Sequence, residues 1–159
     1  MNSAITIAYI LIKRGISEGN PLTQMKLQKM LYFAQGYHLV MNKTPLIEAD
    51  FQAWKYGPVV PAVYQACKIY GSSPIEDLYI FELFADDKYF SERACKSIGK
   101  EAIETINFTW EALKGVSAIA LSNWTHYDNS PWSQAIKSGT NSVISESSMN
   151  KYFETFLKN

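Results

Sequence analysis

The chain has 159 residues, of which 47% are hydrophobic and 19% are charged, and its 15 basic and 15 acidic residues give a formal net charge of zero. This composition excludes an intrinsically disordered chain, and the neutral balance provides no general attraction to phosphate backbones. The length fits a single domain over residues 1–159 with a real core, and the aromatic content of 14% leaves side chains to spare for a protein interface.

Helical periodicity dominates the first quarter of the chain. A first helix is predicted over residues 3–17, and a second runs to about Asn42 after Thr23, a favourable N-cap residue. Apolar residues occupy more than one side of the second helix, which predicts a central helix packed by several neighbours. Its main stripe consists of Leu27, Met30, Leu31, Ala34, Tyr37, His38 and Met41.

The pattern changes between residues 45 and 59, where prolines exclude a continuous helix. Residues 51–56 predict a short extended segment that ends in a Gly-Pro turn. A third helix is predicted over 61–70, because a proline fits its first turn and a glycine follows its last. Residues 72–90 give no clear prediction.

Four further helices are predicted, over about 91–113, 117–125, 131–138 and 146–158. In the first of them, the residues in phase are Ile103, Ile106, Trp110 and Leu113. In the last, the residues on one face are Met149, Tyr152, Phe153, Phe156 and Leu157. The predicted fold class is therefore mainly α: a compact single-domain bundle of about six to seven helices, with a minor extended or β element near residues 45–57.

No motif in the sequence predicts a catalytic residue, a metal site or a cofactor. Glycine-rich phosphate loops are absent. Neither His38 nor His126 has a metal ligand three or four residues away, and Cys67 and Cys95 fit no metal or redox spacing. A thiol–imidazole pair is the best enzymatic alternative, although neither cysteine has a nucleophile signature. We expect His38 to pack near the core and His126 to bond a local backbone group.

The sequence predicts a cytoplasmic protein without a membrane partner. The apolar run over residues 4–12 has no basic residue before it, as a signal peptide would, and it is too short to cross a bilayer. Two cysteines are also too few for a disulfide framework, which favours a reducing compartment.

Three side chains have competing interpretations. Lys26 and Lys29 lie off the apolar stripe of the second helix, which favours a solvated polar face. Because arginine is absent there, the helix does not favour direct nucleic-acid binding. Trp132 is either a wedge that locks its loop onto the bundle or a partner anchor with an accessible indole N–H.

Three segments resemble a known family, in order and with fitting spacing. The segment KLQKMLYFAQG over residues 26–36 resembles the hallmark helix of the Panacea, or SocA-like, antitoxin domain. So do FQAWKYGPVVP over residues 51–61, with the Val-Tyr pair that follows, and the Leu-Ser, Thr-His and Pro-Trp pairs between residues 121 and 132. The same domain occurs in phage-associated proteins of the GepA type. The motif residues that could contact a partner are Lys26, Lys29, Tyr56, Gly57, Pro58, Tyr64, Thr125, His126, Pro131 and Trp132.

The resemblance implies an antitoxin of a type II-like toxin–antitoxin system, which neutralises a cognate toxin protein by direct binding and has no catalytic activity. One branch of the family hands its toxin to an ATP-dependent protease, so a proteolytic adaptor or phage-related regulator is an alternative. A small enzyme that uses a cysteine or a histidine is a third interpretation. Assembly into a homo-oligomer stays open.

The partners of this family vary widely, so part of the surface must differ between its members. Residues 75–90 lie outside every quoted motif and combine five acidic residues with several aromatic ones. This stretch either selects the toxin or covers the bundle with its aromatic side chains. The residues that could select the toxin are Tyr79, Phe81, Glu82, Phe84, Asp86 and Asp87.

Overall fold

The computed structural model describes residues 1–85, 93 and 96–158. Helix α1 (Ala4–Ser17) follows Ser3, and helix α2 (Gln24–Asn42) follows Thr23. The hydroxyl of Thr23 accepts a hydrogen bond from the backbone N–H of Lys26 at 3.3 Å, which confirms the predicted N-cap.

Helix α2 lies at the centre of the fold, as predicted. It packs against α1, against the β-hairpin and against four of the later helices, and every residue from 27 to 39 is buried. The predicted apolar stripe ends before Met41, which is exposed. His38 packs near the core, where its Nδ1 lies 2.7 Å from the hydroxyl of Thr105.

A three-stranded antiparallel sheet covers one end of α2. Strands β1 (Phe51–Trp54) and β2 (Gly57–Val59) form a hairpin, which corresponds to the predicted extended segment. Strand β3 (Ser142–Ile144) pairs with the other edge of β1, and the strand order is β2-β1-β3. The sequence did not predict β3, because three residues are too few to show an alternating pattern.

The next helical segments follow the hairpin directly. Helix α3 (Pro61–Cys67) begins with the predicted proline and continues as a 3-10 turn over Lys68–Tyr70, which ends at Gly71. Helix α4 (Tyr79–Ala85) lies in the region over residues 72–90 for which no element was predicted.

The predicted helix over about 91–113 is interrupted: Arg93 and Lys96 are helical, but the continuous helix α5 (Lys100–Leu113) begins only after a break. Gly99 is its N-cap in extended conformation, and residues 97–99 are not helical. The predicted core residue Ile103 is 44% exposed, because the buried face of α5 is turned toward other positions. That face consists of Ala102, Thr105, Ile106, Thr109, Trp110 and Leu113.

Three shorter helices complete the described fold: α6 (Ala118–Thr125), α7 (Pro131–Ile136) and α8 (Glu146–Lys158). Helix α8 lies very close to α2, since a Cβ atom at Gly36 would come within 2.3 Å of the ring of Phe153. Eight helices and one small sheet in the described residues confirm a mainly α fold with a minor β element. None of the described helices is both long and apolar enough to cross a membrane.

Candidate functional site

Two buried glutamines of the hallmark helix hold the following chain segments against α2. The Gln28 side chain accepts a hydrogen bond from the backbone N–H of Val60 at 2.9 Å and donates one to its carbonyl at 3.3 Å. The Gln35 Oε1 atom accepts hydrogen bonds from the backbone N–H groups of Leu46 and Ile47, both at 2.9 Å. These glutamines replace backbone partners that the loops would otherwise lack, so their role is structural.

Lys29 is buried beneath the hairpin, and the interpretation as part of a solvated face is wrong for this residue. Only 2% of Lys29 is exposed. Its Nζ atom donates a hydrogen bond to the Pro58 carbonyl at 3.3 Å, and no described carboxylate lies within ion-pair distance. Burial lowers the pKa of Lys29 to about 8. The ammonium is therefore held at an energetic cost, with one of its three donors used.

Gly57 allows the hairpin to pass directly over this lysine. Its φ angle is +118°, and a Cβ atom there would lie 2.8 Å from Lys29 Cε and 2.9 Å from Thr125 Oγ1. Only glycine adopts this conformation at low cost, and only glycine leaves the necessary space. The predicted Gly-Pro turn is wrong, because the hairpin turns at Lys55 and Tyr56 and the Gly-Pro pair begins strand β2. The start of β2 therefore forms the roof over Lys29.

The third motif locks the hairpin from its other side. The Ser122 hydroxyl donates a hydrogen bond to the Tyr56 carbonyl at 2.9 Å. The His126 ring lies with Nδ1 at the Ser122 carbonyl and Nε2 at 3.3 Å from the Lys55 carbonyl, as expected for a histidine that bonds local backbone. Its centroid is 3.9 Å from that of Trp132.

Trp132 acts as a wedge between α7 and the hairpin. Its indole N–H donates a hydrogen bond to the Trp54 carbonyl at 2.7 Å. The indole N–H is therefore not accessible to a partner, because that donor is already used within the fold. Pro131 is buried at the start of the same helix.

The first turn of α2, the hairpin, α3 and the start of α6 surround a groove of about 770 Å³, which we call the hairpin groove. Its walls are mainly apolar, and the Trp54 ring packs edge-on against Tyr64 with centroids 4.9 Å apart. Tyr56 stands at the rim and is 65% exposed. The principal wall residues are Met25, Trp54, Tyr56, Val59, Tyr64 and Ala118.

Polar atoms are concentrated at the α2 side of the hairpin groove. Lys29 and Gln24 both line it, and the Gln24 Oε1 atom is shielded from solvent without a hydrogen-bond partner. The first turn of α2 contains no acidic residue, so its N-terminal partial positive charge is not neutralised there. The groove thus combines apolar walls with a local excess of positive charge.

The structure divides the predicted motif residues into three groups and one separate residue, Lys26. Lys29, Tyr56 and Tyr64 line the hairpin groove. Gly57, Pro58 and Thr125 surround Lys29. His126 and Trp132 contact backbone carbonyls of the hairpin, and Pro131 is buried at the start of the helix that carries Trp132. Lys26 lies apart from the groove and donates a hydrogen bond to the Lys114 carbonyl at 2.7 Å.

The groove residues that sequence reasoning missed include Gln24, Met25, Trp54, Val59 and Ala118. The available signal for Gln24 and Met25 was their position in the first turn of α2, directly before the first family motif. The pattern alone did not indicate which elements would meet there.

The aromatic residues of the acidic stretch over residues 75–90 differ in burial. Tyr79 is 62% exposed, whereas Phe81 is fully buried and packs edge-on against Tyr9 with centroids 6.2 Å apart. Phe81 therefore belongs to the core, as in the interpretation that these aromatic side chains cover the bundle. Asp86 and Asp87 lie outside the described residues, as do the side chains of Glu82 and Phe84.

Comparisons with known proteins agree with the motifs. Antitoxin SocA from Caulobacter vibrioides (strain NA1000 / CB15N) is 42% identical over 62 residues, which are 39% of this chain and 33% of that protein, so the match spans a third of the relative's length. No solved structure gives a significant match. The family described as "Antitoxin SocA-like, Panacea domain" matches residues 27–133, which include the hallmark helix, the hairpin and the Pro-Trp pair. Since this match covers most of the chain, the protein belongs to the SocA-like antitoxin family with a Panacea domain.

Proposed function

We propose that this protein is a cytoplasmic antitoxin that neutralises a cognate toxin protein by direct, stoichiometric binding, and that the toxin contacts the hairpin groove. The observation that carries the proposal is the assembly of this groove from two of the three family motifs, with the third bracing it. Interfaces derive most of their affinity from aromatic and apolar side chains that fill pockets. Tyr56 and Met25 are such side chains, exposed at the groove.

A non-enzymatic role is supported by the environment of the available nucleophile. Cys67 is buried, and its burial raises the pKa of the thiol to about 12, so the reactive thiolate is not formed at neutral pH. The His126 nitrogens face backbone carbonyls. Cys95 lies outside the described residues.

Three exposed tyrosines at three different surfaces provide a matched test. Tyr56 is in the hairpin groove, Tyr79 is in the acidic stretch, and Tyr127 lines a separate aromatic cleft beside α8. Their exposed fractions are 65%, 62% and 51%, so truncation to alanine perturbs the fold little in each case. Each variant is co-expressed with the product of the adjacent gene, and growth rescue and the Kd of the purified pair are measured.

We expect Tyr56→Ala to weaken binding and rescue, while Tyr79→Ala and Tyr127→Ala stay near the unmodified protein. An effect of Tyr79→Ala alone would instead assign toxin contact to the acidic stretch. Rescue that needs an added ATP-dependent protease, with no neutralisation by the purified pair, would support the adaptor alternative.

A further inference from the structure

We propose that the hairpin groove recognises an acidic side chain, aspartate or glutamate, which is flanked by apolar residues in a segment of the bound protein and pairs with Lys29. This inference deepens the proposed function, because it specifies the chemistry of the partner segment. Nothing in the fold of the described residues requires a lysine at this position, since its one hydrogen bond to a carbonyl could be made by an uncharged donor.

The first argument is the uncompensated charge. A buried lysine is normally paired with a carboxylate, because an isolated ammonium loses its hydration without recovering the energy elsewhere. Lys29 has only the Pro58 carbonyl, at 3.3 Å, and two of its N–H donors have no described partner. A carboxylate that enters from the groove would accept those donors and offset the cost of burial.

The second argument is the orientation of α2. This helix has 19 residues, and its first turn, with Thr23 as the N-cap, lines the same groove. The first backbone N–H groups of a helix have no intrahelical acceptors and favour an anion. The partial positive charge of the helix end and the full charge of Lys29 therefore both attract an anion into the hairpin groove.

The third argument concerns what surrounds the anion. The walls at Trp54, Val59 and Tyr64 are apolar, so the neighbours of the acidic residue are expected to be apolar or aromatic. The unpartnered Oε1 of Gln24 provides an acceptor for a backbone N–H of the bound segment. Because only 2% of Lys29 is exposed, the carboxylate has to be carried by a slim side chain rather than by a bulky headgroup.

The test uses a probe that does not depend on the toxin: 3-phenylpropionate, an aromatic ring with a carboxylate on a short chain, and its uncharged amide. Binding to the unmodified protein is measured by NMR shifts of groove residues, including the indole N–H of Trp54. We expect the acid to bind with a Kd on the order of 1 mM and the amide at least about tenfold more weakly.

Two lysine variants locate the interaction. Lys29→Met should remove the preference for acid over amide, while Lys26→Met, which changes a lysine of the same helix outside the groove, should retain it. Equal binding of acid and amide to the unmodified protein, or no binding of either at about ten times the expected Kd, would overturn the inference. Displacement of the acid by inorganic phosphate at the same concentration would show a general anion site and would also overturn it.

A second arm uses the toxin itself. Each acidic residue of the toxin is changed to its amide, and the Kd of each variant is measured with the unmodified antitoxin and with Lys29→Met. One acidic residue should lose at least about tenfold in affinity for the unmodified protein and little for Lys29→Met. If the toxin binds but no residue is coupled to Lys29, this inference fails alone, whereas absence of toxin binding refutes the proposed function.

Discussion

Replacement of Lys29 by methionine should stabilise the protein in a pH-dependent way. The unfolded chain exposes this lysine with its ordinary pKa of 10.5, whereas burial lowers the pKa to about 8 in the fold. Between these two values the unfolded state binds more protons, so the stability of the unmodified protein rises as the pH increases through this window. Methionine has no titrating group and keeps a similar unbranched shape, so the variant lacks this dependence.

The magnitude follows from the two pKa values. The charged lysine costs about 3 kcal/mol at about pH 7, about 2 kcal/mol at about pH 9 and less than about 1 kcal/mol at about pH 10. Loss of the hydrogen bond to Pro58 costs the variant about 1–2 kcal/mol at every pH. The difference in stability between the two proteins should therefore change by about 1–1.5 kcal/mol in favour of the unmodified protein between about pH 7 and about pH 9.

Urea denaturation followed by circular dichroism measures this difference directly. Urea is uncharged, so it does not screen the interaction under test. Lys55→Met is the matched control, because Lys55 lines the same groove but is exposed to solvent. A constant difference between the unmodified protein and Lys29→Met from about pH 7 to about pH 9 would refute the reasoning, since it would mean that the ammonium is hydrated in the fold.

Further substitutions test the packing. Trp110→Ala should lower the free energy of unfolding by about 3–5 kcal/mol, because Trp110 is fully buried. Trp110→Phe should cost clearly less, because the buried indole N–H has no hydrogen-bond partner to lose. A thermal unfolding temperature that barely shifts for Trp110→Ala would contradict the core assignment. Gly36→Ala should destabilise although alanine favours helices, since its Cβ would overlap the Phe153 ring, and a raised Tm would show that α8 can move away. Gly57→Ala should cost about 1–3 kcal/mol through its positive φ and its contact with Lys29, which equilibrium unfolding would detect.

The features that were predicted from the sequence are the local ones. Thr23 caps α2, Pro61 opens α3 and Gly71 ends its 3-10 extension, because each depends on the conformational preferences of one residue and its neighbours. Strand β3 was not predicted, since its pairing with Phe51 depends on a partner more than ninety positions away. The break at residues 97–99 before α5 was also not predicted, because a helical period does not show a short interruption.

The candidate site was predicted in composition but not in arrangement. The motifs supplied Lys29, Tyr56 and Tyr64, yet the periodicity of α2 placed Lys29 on its solvent side. That prediction failed because the hairpin packs over the polar side of the helix, which leaves no solvated face between residues 27 and 39. The signal was present in the sequence, since a helix that is apolar on several sides leaves little room for a hydrated lysine.

The position of α8 against α2 has a consequence for folding during synthesis. The central helix is made early, but Phe153, which covers Gly36, and the strand that completes the sheet both come from residues 142–158. Until these residues leave the ribosome, the nascent chain exposes an apolar surface on α2 that chaperones and proteases can bind. Cooperative folding is therefore expected only after residues 142–158 have been synthesised, and chains interrupted before residue 142 should be degraded rather than accumulate.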